Sequence, residues 1–284
     1  MHFIFRLLAR LPLRSLHLLG SALGWMVFLA SAAYRRNFRE NAHRARLSAG
    51  LMRQAVCAAG QMATELPWVW LRGEDEKRAA IHWEGLHLIE STLADGKGLI
   101  YLTPHMGCFE VLPPAHGQWL GDRYGPISVL YRPSRSRLLG ELTRRLRAVP
   151  GVKIAPTTTA GVRSLLRALK QGQAIGLLPD QVPEVGLGVW APFFGHPAYT
   201  MTLALRLARR TRAPILLVYG ERLALGRGFL IHVRRVDLEL DQDDEVVAAE
   251  MNRQLESLIL ENPSLYLWGY ARYKRPAQKQ VRAP

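Results

Sequence analysis

Short apolar runs that resemble buried strands alternate along this chain with longer amphipathic segments, and this alternation limits the fold more than any other feature. The strand-like runs are 98–103, 127–133, 174–180, 214–223 and 228–236. The segments between them predict helices over 134–149, 161–172, 199–213 and 243–261, and residues 37–72 also have helical spacing. Strands alternating with helices favour one α/β domain, with a mostly parallel or mixed sheet flanked by helices. The last two strands predict a hairpin that turns at Gly226–Gly228.

The N-terminal part of the chain is hydrophobic and bordered by arginines. Residues 16–33 are nearly free of charge, and arginines precede and follow them at positions 6, 10, 14, 35, 36, 39, 44 and 46. A spanning helix needs about 20 apolar residues, and this run is slightly short and diluted by Gly, Ser and Ala. We therefore predict a membrane anchor over residues 1–36, either spanning the bilayer or lying in its interface, with a buried helix as the alternative. The globular domain then covers residues 37–284, and the heavier arginine load after the run places it in the cytoplasm.

Charge indicates the kind of partner. The chain has 38 Lys and Arg against 23 Asp and Glu, a net charge of +15, so an anionic lipid, an acidic protein or a nucleic acid would be attracted. No nucleic-acid recognition motif, phosphate-binding loop or dinucleotide fingerprint accompanies this charge. The two cysteines form no CxxC pair, so the sequence indicates neither a zinc site nor a disulfide framework.

The segment TPHMGCFE, residues 103–110, places a histidine and a glutamate at the carboxyl end of a predicted strand. Loops at this end of the strands of an α/β sheet hold the chemistry in many enzymes. If a helix begins near Cys108, the carboxylate of Glu110 can turn back to His105 and fix its tautomer. The other imidazole nitrogen would then accept a proton from a hydroxyl. A structural histidine in a turn is the competing interpretation, and a Cys108 thiolate paired with His105 is another.

Four further segments, read together with HMGCFE, resemble the bacterial lipid A biosynthesis acyltransferases, a family within the glycerolipid acyltransferase superfamily. The segments are VLYRP (129–133), LLPDQ (177–181), PFFGHPAYT (192–200) and PSLYLWGYARYK (263–274). Their order and spacing extend from the hydrophobic N-terminus almost to the C-terminus. The resemblance implies that the 37–284 domain is an acyltransferase domain of that superfamily.

The resemblance also implies roles for individual residues. His105 is expected to be the general base and Glu110 its orienting partner. Arg132 is expected near the thioester or an anionic head group, and Gly107 and Arg132 are candidate donors to the developing oxyanion. The substrate-binding residues implied by the family are Arg132, Asp180, Gln181, Phe193, Phe194 and Gly195.

By the same resemblance, the expected reaction moves a fatty acyl chain from acyl carrier protein, or from acyl coenzyme A, to a hydroxyl of a lipid A precursor. No acyl-enzyme, bound cofactor or metal is expected. The expected partners are acyl carrier protein, the lipid acceptor and anionic lipid at the cytoplasmic face of the bacterial inner membrane, with no nucleic acid.

The chain departs from the usual family ending at Leu265, Tyr270 and Ala271, which leaves the acceptor open. The same chemistry on a glycolipid, a lysophospholipid or an amino-lipid is one alternative. A membrane scaffold without activity is another.

Overall fold

The computed structural model of the chain describes residues 2–131, 147 and 149–277. Within these residues the helices are α1 (His2–Ala9), α2 (Leu13–Ala30), α3 (Ala32–Arg44), α4 (Ala49–Leu71), α5 (Glu74–Ala80), α6 (Leu86–Ala94), α7 (Leu112–Tyr124), α8 (Thr159–Lys170), α9 (Leu203–Thr211) and α10 (Asp244–Glu261). The strands are β1 (Ile81–Glu84), β2 (Leu99–Leu102), β3 (Ile127–Tyr131), β4 (Val152–Pro156), β5 (Ala174–Leu177), β6 (Gly188–Phe193), β7 (His196–Met201), β8 (Ile215–Arg222) and β9 (Phe229–Arg235).

Seven of these strands form one mixed sheet in the order β1-β9-β8-β2-β5-β3-β4. Strands β8, β2, β5, β3 and β4 are parallel to one another, whereas β9 runs antiparallel to β8 and pairs with β1 in parallel. Strands β6 and β7 form a separate antiparallel hairpin. The predicted α/β architecture with a mostly parallel or mixed sheet is therefore confirmed.

Both faces of the sheet are covered, which explains why its central strands are uninterrupted apolar runs. In β2 the alternate residues Leu99 and Tyr101 enter one core cluster, and Ile100 and Leu102 enter the other. All four side chains are buried. A strand with both faces buried shows no alternation of polar and apolar residues, so β2 was recognised by its length and composition.

Several predicted elements are confirmed with small shifts in their ends. The strand at 98–103 is β2, the strand at 127–133 is β3, and the strand at 174–180 is β5. The hairpin is β8 and β9, and the helices at 161–172 and 243–261 are α8 and α10. The helical region 37–72 is divided between α3 and α4. The helix predicted over 134–149 falls almost entirely outside the described residues.

One predicted helix begins later than expected. Residues 199–201 belong to β7, and α9 starts only at Leu203. Sequence reasoning missed the whole hairpin because β6 and β7 each contain a proline, Pro192 and Pro197, and proline argues against a strand. These two prolines lie opposite each other in the hairpin. The other strands that the sequence did not reveal, β1 and β4, form the two edges of the large sheet.

Candidate active site

His105 lies where β2 ends, and its backbone is fixed from two sides. The amide of Thr103 donates to the carbonyl oxygen of Leu177 in β5 at 3.1 Å, and the amide of Leu267 donates to the carbonyl oxygen of His105 at 2.9 Å. Pro104 between them keeps Thr103 extended. The imidazole is therefore held at the edge of the sheet, with its side chain 19% exposed.

The carboxylate that binds this imidazole is Asp180. Its Oδ1 lies 2.7 Å from His105 Nδ1, and its Oδ2 accepts the backbone amide of His105 at 2.9 Å. A carboxylate is an acceptor, so Nδ1 carries the proton and Nε2 has the free electron pair. Burial would raise the pKa of Asp180, but the neighbouring imidazole and these hydrogen bonds lower it below its ordinary value. Asp180 is thus an ionised, buried group that orients His105.

Glu110 does not occupy the orienting position that the sequence predicted. It lies in a short 3₁₀ turn, Phe109–Val111, and its carboxylate accepts a hydrogen bond from Trp70 Nε1 at 3.3 Å and pairs with Arg147. The turn directs the chain into α7, and Glu110 therefore meets the end of α4. Glu110 still lines the same cavity as His105.

The register of the sheet explains why Asp180 reaches His105. Leu102 at the end of β2 is paired with Leu177 at the end of β5, and His105 and Asp180 each follow these residues by three positions. Strands β3 and β4 lie between β2 and β5 in the sequence, so this pairing could not be read from the chain. The equal offset from the two strand ends identifies the pair only once β2 and β5 are known to be neighbours.

Gln181 lies against the other nitrogen of the imidazole. Its Nε2 is 2.9 Å from His105 Nε2, and its side chain lines the cavity. An amide N–H that donates to the free pair of Nε2 occupies the place that a substrate hydroxyl would take. The predicted Asp180–Gln181 segment therefore contacts His105 through both of its side chains.

Gly107 has a structural role that excludes it as an oxyanion donor in this conformation. Its amide donates to the carbonyl oxygen of Leu265 at 3.0 Å, and the next amide, of Cys108, donates to that of Gly220 at 2.8 Å. Gly107 has a φ of 57°, and a Cβ there would overlap the carbonyl oxygen of Gly220. The glycine is required for this close approach of two backbones.

The Cys108 thiol is placed for packing and not for catalysis. The residue is fully buried, and burial raises the pKa of the thiol well above its ordinary value. A thiol that stays protonated is a poor nucleophile. The interpretation of Cys108 as a small buried residue is the one that the structure supports.

A cluster of ionisable side chains, His17, Glu65 and Arg222, supports the same turn, and we call it the buried cluster because Glu65 at its centre has no exposed surface. Arg222 donates to both oxygens of Glu65 at 2.7 Å and to the carbonyl oxygen of Gly107 at 2.8 Å. His17 Nε2 of α2 lies 3.3 Å from Glu65. Burial would raise the pKa of Glu65, but Arg222 and His17 lower it below its ordinary value. The turn is therefore fixed through an ion pair that joins α4 to β8.

A cavity of about 1060 Å³ extends from His105 between the sheet and the helices α8 and α9. Its walls are mainly apolar, and the side chains of this kind include Ile127, Val129, Val152, Val162, Leu166 and Leu207. Gly176 of β5 also lies on the wall, where a Cβ would approach Val129 and Ile127. Two arginines of α9, Arg206 and Arg210, line it as well. A cavity of this shape and polarity can hold a long apolar chain, and its two arginines can bind an anionic group.

The segment Phe193–Gly195, predicted to bind substrate, does not line this cavity. It forms the turn of the β6–β7 hairpin, where Phe193 is buried against Tyr266 and Tyr273. The amide of Phe194 donates to Glu256 of α10 at 2.7 Å. The correction follows from the hairpin itself, which directs these residues towards the C-terminal segment. Arg132, the remaining predicted residue, lies outside the described residues.

The departures from the usual family ending lie beside the site without lining the cavity. The Tyr270 hydroxyl accepts the amide of Val182 at 2.9 Å, next to Gln181. Leu265 is buried and supplies the carbonyl oxygen that binds Gly107. These residues therefore position the Asp180–Gln181 segment and the histidine turn. Within the part of the chain that the structure describes, no group of three or more His, Cys, Asp or Glu could hold a metal ion.

Comparison with known proteins extends over nearly the whole chain. Residues 1–275 match the model of the family described as bacterial lipid A biosynthesis acyltransferase. The chain is 26% identical over 221 residues to the lipid A biosynthesis lauroyltransferase of Escherichia coli K12. The matched residues cover 76% of this chain and 68% of that protein.

Two further relatives are matched over a smaller share of their length. Lipid A biosynthesis acyltransferase 2 of Shigella flexneri is 22% identical, over 70% of this chain and 62% of that protein. A lipid A biosynthesis acyltransferase of Haemophilus influenzae is 26% identical, over 65% and 56%. The chain thus spans less than two thirds of the length of these two relatives.

Proposed function

This chain belongs to the bacterial lipid A biosynthesis acyltransferase family, and from that premise we propose that it transfers a fatty acyl chain from acyl carrier protein to a hydroxyl of a lipid A precursor. The observation that carries the proposal is the geometry of His105. Asp180 holds Nδ1 at 2.7 Å, and Nε2 faces a largely apolar cavity.

The reaction follows from this geometry. The acceptor hydroxyl displaces the Gln181 amide and gives its proton to His105 Nε2 while its oxygen attacks the thioester carbonyl carbon. A C–O bond forms, and the C–S bond then breaks. The imidazolium returns the proton to the departing thiolate. Asp180 stabilises the imidazolium between these two steps, so neither an acyl-enzyme nor a cofactor is needed.

Gln181 is our candidate donor for the carbonyl oxygen. Its amide group lies 2.9 Å from the nitrogen that the acceptor must approach, so once displaced it remains beside the reacting carbon. A fixed amide donor beside a developing negative charge accelerates acyl transfer. Arg132 stays a prediction for the same task.

The cavity walls and the charge suit the two proposed substrates. The acyl chain would lie along Val129, Leu166 and Leu207, and Arg206 with Arg210 would attract an anionic group. Acyl carrier protein and phosphorylated lipid precursors are both acidic, and the chain has a net charge of +15. Among the described residues, Leu13–Ala30 is long and apolar enough to cross a membrane by its length and composition. We therefore propose that the protein works at a membrane surface, and specifically at the cytoplasmic face of the inner membrane.

The test is acyl transfer by the purified full chain and by His105→Ala. A medium-length acyl carrier protein thioester and the matching coenzyme A thioester would be the two donors. A tetra-acylated lipid A precursor carrying its inner sugars and a lysophospholipid would be the two acceptors, with products weighed by mass spectrometry.

We expect one added acyl chain on the lipid A precursor with the wild type, and at least a thousandfold less with His105→Ala. If only the lysophospholipid gains an acyl chain, the proposed acceptor is wrong and the proposed acyl-transfer chemistry stands. Equal activity of His105→Ala would remove His105 from the mechanism.

A further inference from the structure

Helix α2 is packed against α4 along most of its length. Gly20 and Gly24 of α2 meet Gly60 of α4 so closely that a Cβ at any of them would overlap the backbone of the other helix. The Thr64 hydroxyl donates to the carbonyl oxygen of Leu16 at 2.7 Å, and Gln61 donates to the Ser21 hydroxyl at 2.9 Å. The apolar N-terminal helix is therefore part of the globular domain and not a separate stalk.

The N-terminal end of α2 is attached to the domain. Arg72, which follows α4, donates to the carbonyl oxygen of Ala9 at 2.8 Å, just before α2 begins. Phe5 of α1 stacks on Trp70 with their rings 6.5 Å apart. The backbone of Arg14 also touches Gly226 in the turn between β8 and β9. These contacts place the start of α2 beside the sheet and the end of α4.

The C-terminal end of α2 is attached to the same domain at a different point. Only Ser31 separates α2 from α3. Asn41 of α3 donates to the carbonyl oxygens of Trp268 and Tyr270 at 2.7 and 2.6 Å. The ring of Tyr34 lies directly on the backbone of Gly269. Both ends of α2 are thus held by one globular body.

The outer face of α2 is apolar and open to solvent. Leu18, Met26 and Leu29 are 67%, 63% and 67% exposed, and Leu19 and Val27 lie beside them. Arginines stand at both ends of this face, at positions 6, 10, 14, 36 and 39. An apolar face bordered by arginines is complementary to an anionic bilayer surface, where arginine binds the head groups and the face enters the acyl region.

We propose that α2 lies in a single leaflet of an anionic membrane and does not cross it. A helix attached at both ends to one domain keeps both ends on the side of the bilayer where that domain lies. A crossing would also draw α4, with the buried Glu65, into the hydrocarbon, at a high cost. The inference takes from the proposed function only that the chain works at a membrane.

Helix α1, which leads into α2, lies beside the cavity. Phe5 contacts Trp70, and Trp70 is also part of the cavity wall beside Glu110. With α2 in one leaflet, this contact puts one edge of the cavity near the N-terminal end of the membrane-bound helix.

The deciding experiment measures which side of the membrane each end of α2 occupies. A cysteine carried on a short Gly-Ser extension ahead of Met1, and Lys97→Cys in the globular domain, would each be placed in a Cys57→Ser chain. Both would be expressed in a Gram-negative host and treated with a membrane-impermeant maleimide, in spheroplasts and in inverted inner-membrane vesicles. The assay does not depend on acyl transfer, so it remains informative if the proposed activity is wrong.

We expect both cysteines to react in inverted vesicles and neither in spheroplasts. Reaction of the N-terminal cysteine in spheroplasts, with Lys97→Cys reacting only in inverted vesicles, would show a spanning helix and overturn the proposal.

A second experiment locates the membrane-binding face. Leu18→Asp with Met26→Asp would be compared with Leu260→Asp, which alters an exposed leucine of α10, at 52% exposure. We expect the paired change to weaken binding to phosphatidylglycerol vesicles by roughly a hundredfold, because two apolar side chains that the bilayer would bury are replaced. Leu260→Asp should bind as the wild type does, and an equal loss in both variants would contradict the assignment of the face. Unchanged thermal unfolding of each variant would show that it is folded.

Discussion

Two histidine–carboxylate pairs touch the turn around Gly107, and they differ in what the second partner of the carboxylate is. In the site pair, Asp180 accepts from the ring and the backbone amide of His105, and the far imidazole nitrogen faces the cavity, where the Gln181 amide reaches it. In the buried cluster, Glu65 binds both His17 and Arg222 and has no exposed surface. The first arrangement leaves a nitrogen that only a displaceable amide of the cavity wall contacts, and the second neutralises a charge inside the fold. Access from the cavity, more than the pairing itself, distinguishes the histidine proposed for catalysis from the one in the buried cluster.

The largest expected effect is a loss of acyl-transfer activity when the carboxylate of Asp180 is changed. Asp180→Asn removes the negative charge and replaces one carboxylate oxygen with an NH2 donor, so the imidazole can take the wrong tautomer, and we expect kcat to fall on the order of 10³- to 10⁴-fold. Glu110→Gln, the matched change in the other carboxylate, should lower kcat about tenfold or less. Steady-state acyl transfer measures both. The opposite ranking would return the orienting role to Glu110.

Breaking the ion pair of the buried cluster is expected to lower the stability of the fold. Arg222→Met leaves Glu65 charged in the interior, and we expect the free energy of unfolding to fall by about 3–5 kcal/mol. The double variant Glu65→Leu with Arg222→Met should recover most of this loss, as followed by urea unfolding. A single variant as stable as the wild type would mean that the cluster does not hold the turn.

A third histidine sharpens the comparison because it has no carboxylate. His116 binds the Tyr101 hydroxyl at 3.1 Å and the carbonyl oxygen of Gly125 at 3.2 Å, and burial lowers its pKa to about 4. The unfolded chain then binds this proton more readily than the folded one. Stability should fall as the pH drops from about 6.5 to about 4, by at most about 3 kcal/mol, and change no further below that. His116→Gln should lose this part of the pH dependence in unfolding curves, and an unaltered curve would contradict the assignment.

The smallest expected effect concerns the cavity that distinguishes the site pair. A methyl group at Gly176 would project beside Val129 and Ile127, so Gly176→Ala should reduce the space for the acyl chain. We expect the ratio of kcat/KM for long against short acyl donors to fall about tenfold. Gly121→Ala on α7, where a Cβ would make only an ordinary van der Waals contact with Gly151 at 3.9 Å, is the control and should keep the wild-type ratio. A ratio unchanged in both variants would place the acyl chain elsewhere.

The helices and strands could be predicted from the sequence more reliably than the pairing of the strands in the sheet. Strands β2, β3 and β5 were evident because each is a buried apolar run with turn residues beside it. The hairpin β6–β7 was not, because its prolines resemble loop residues. Edge strands such as β1 have mixed polarity and so no clear pattern.

The candidate site shows the same limit. His105 was recognised from its place after a strand, and Asp180 was recognised as part of the site from the resemblance. The role of Asp180 depends on β2 lying beside β5, which is a long-range pairing and leaves no local pattern. The sequence favours Glu110 because it lies five residues after His105 and because the resemblance implies a carboxylate at that position. The amide of Gly107 was proposed as a donor because its hydrogen bond to Leu265, 158 residues later, is equally invisible in the chain.

The buried cluster also fixes an order of events during synthesis. Glu65 and Arg222 are 157 residues apart, which a ribosome takes about 8–30 seconds to cover at about 5–20 residues per second. The helices α2 and α4 leave the ribosome long before β8 does, so they can meet at their glycines while Glu65 still has no arginine. The nascent chain can therefore form the α2–α4 helix pair before the strand that holds the turn around Gly107 has been made. A pause in translation within that interval would prolong the time for which Glu65 lacks its arginine partner between these two helices.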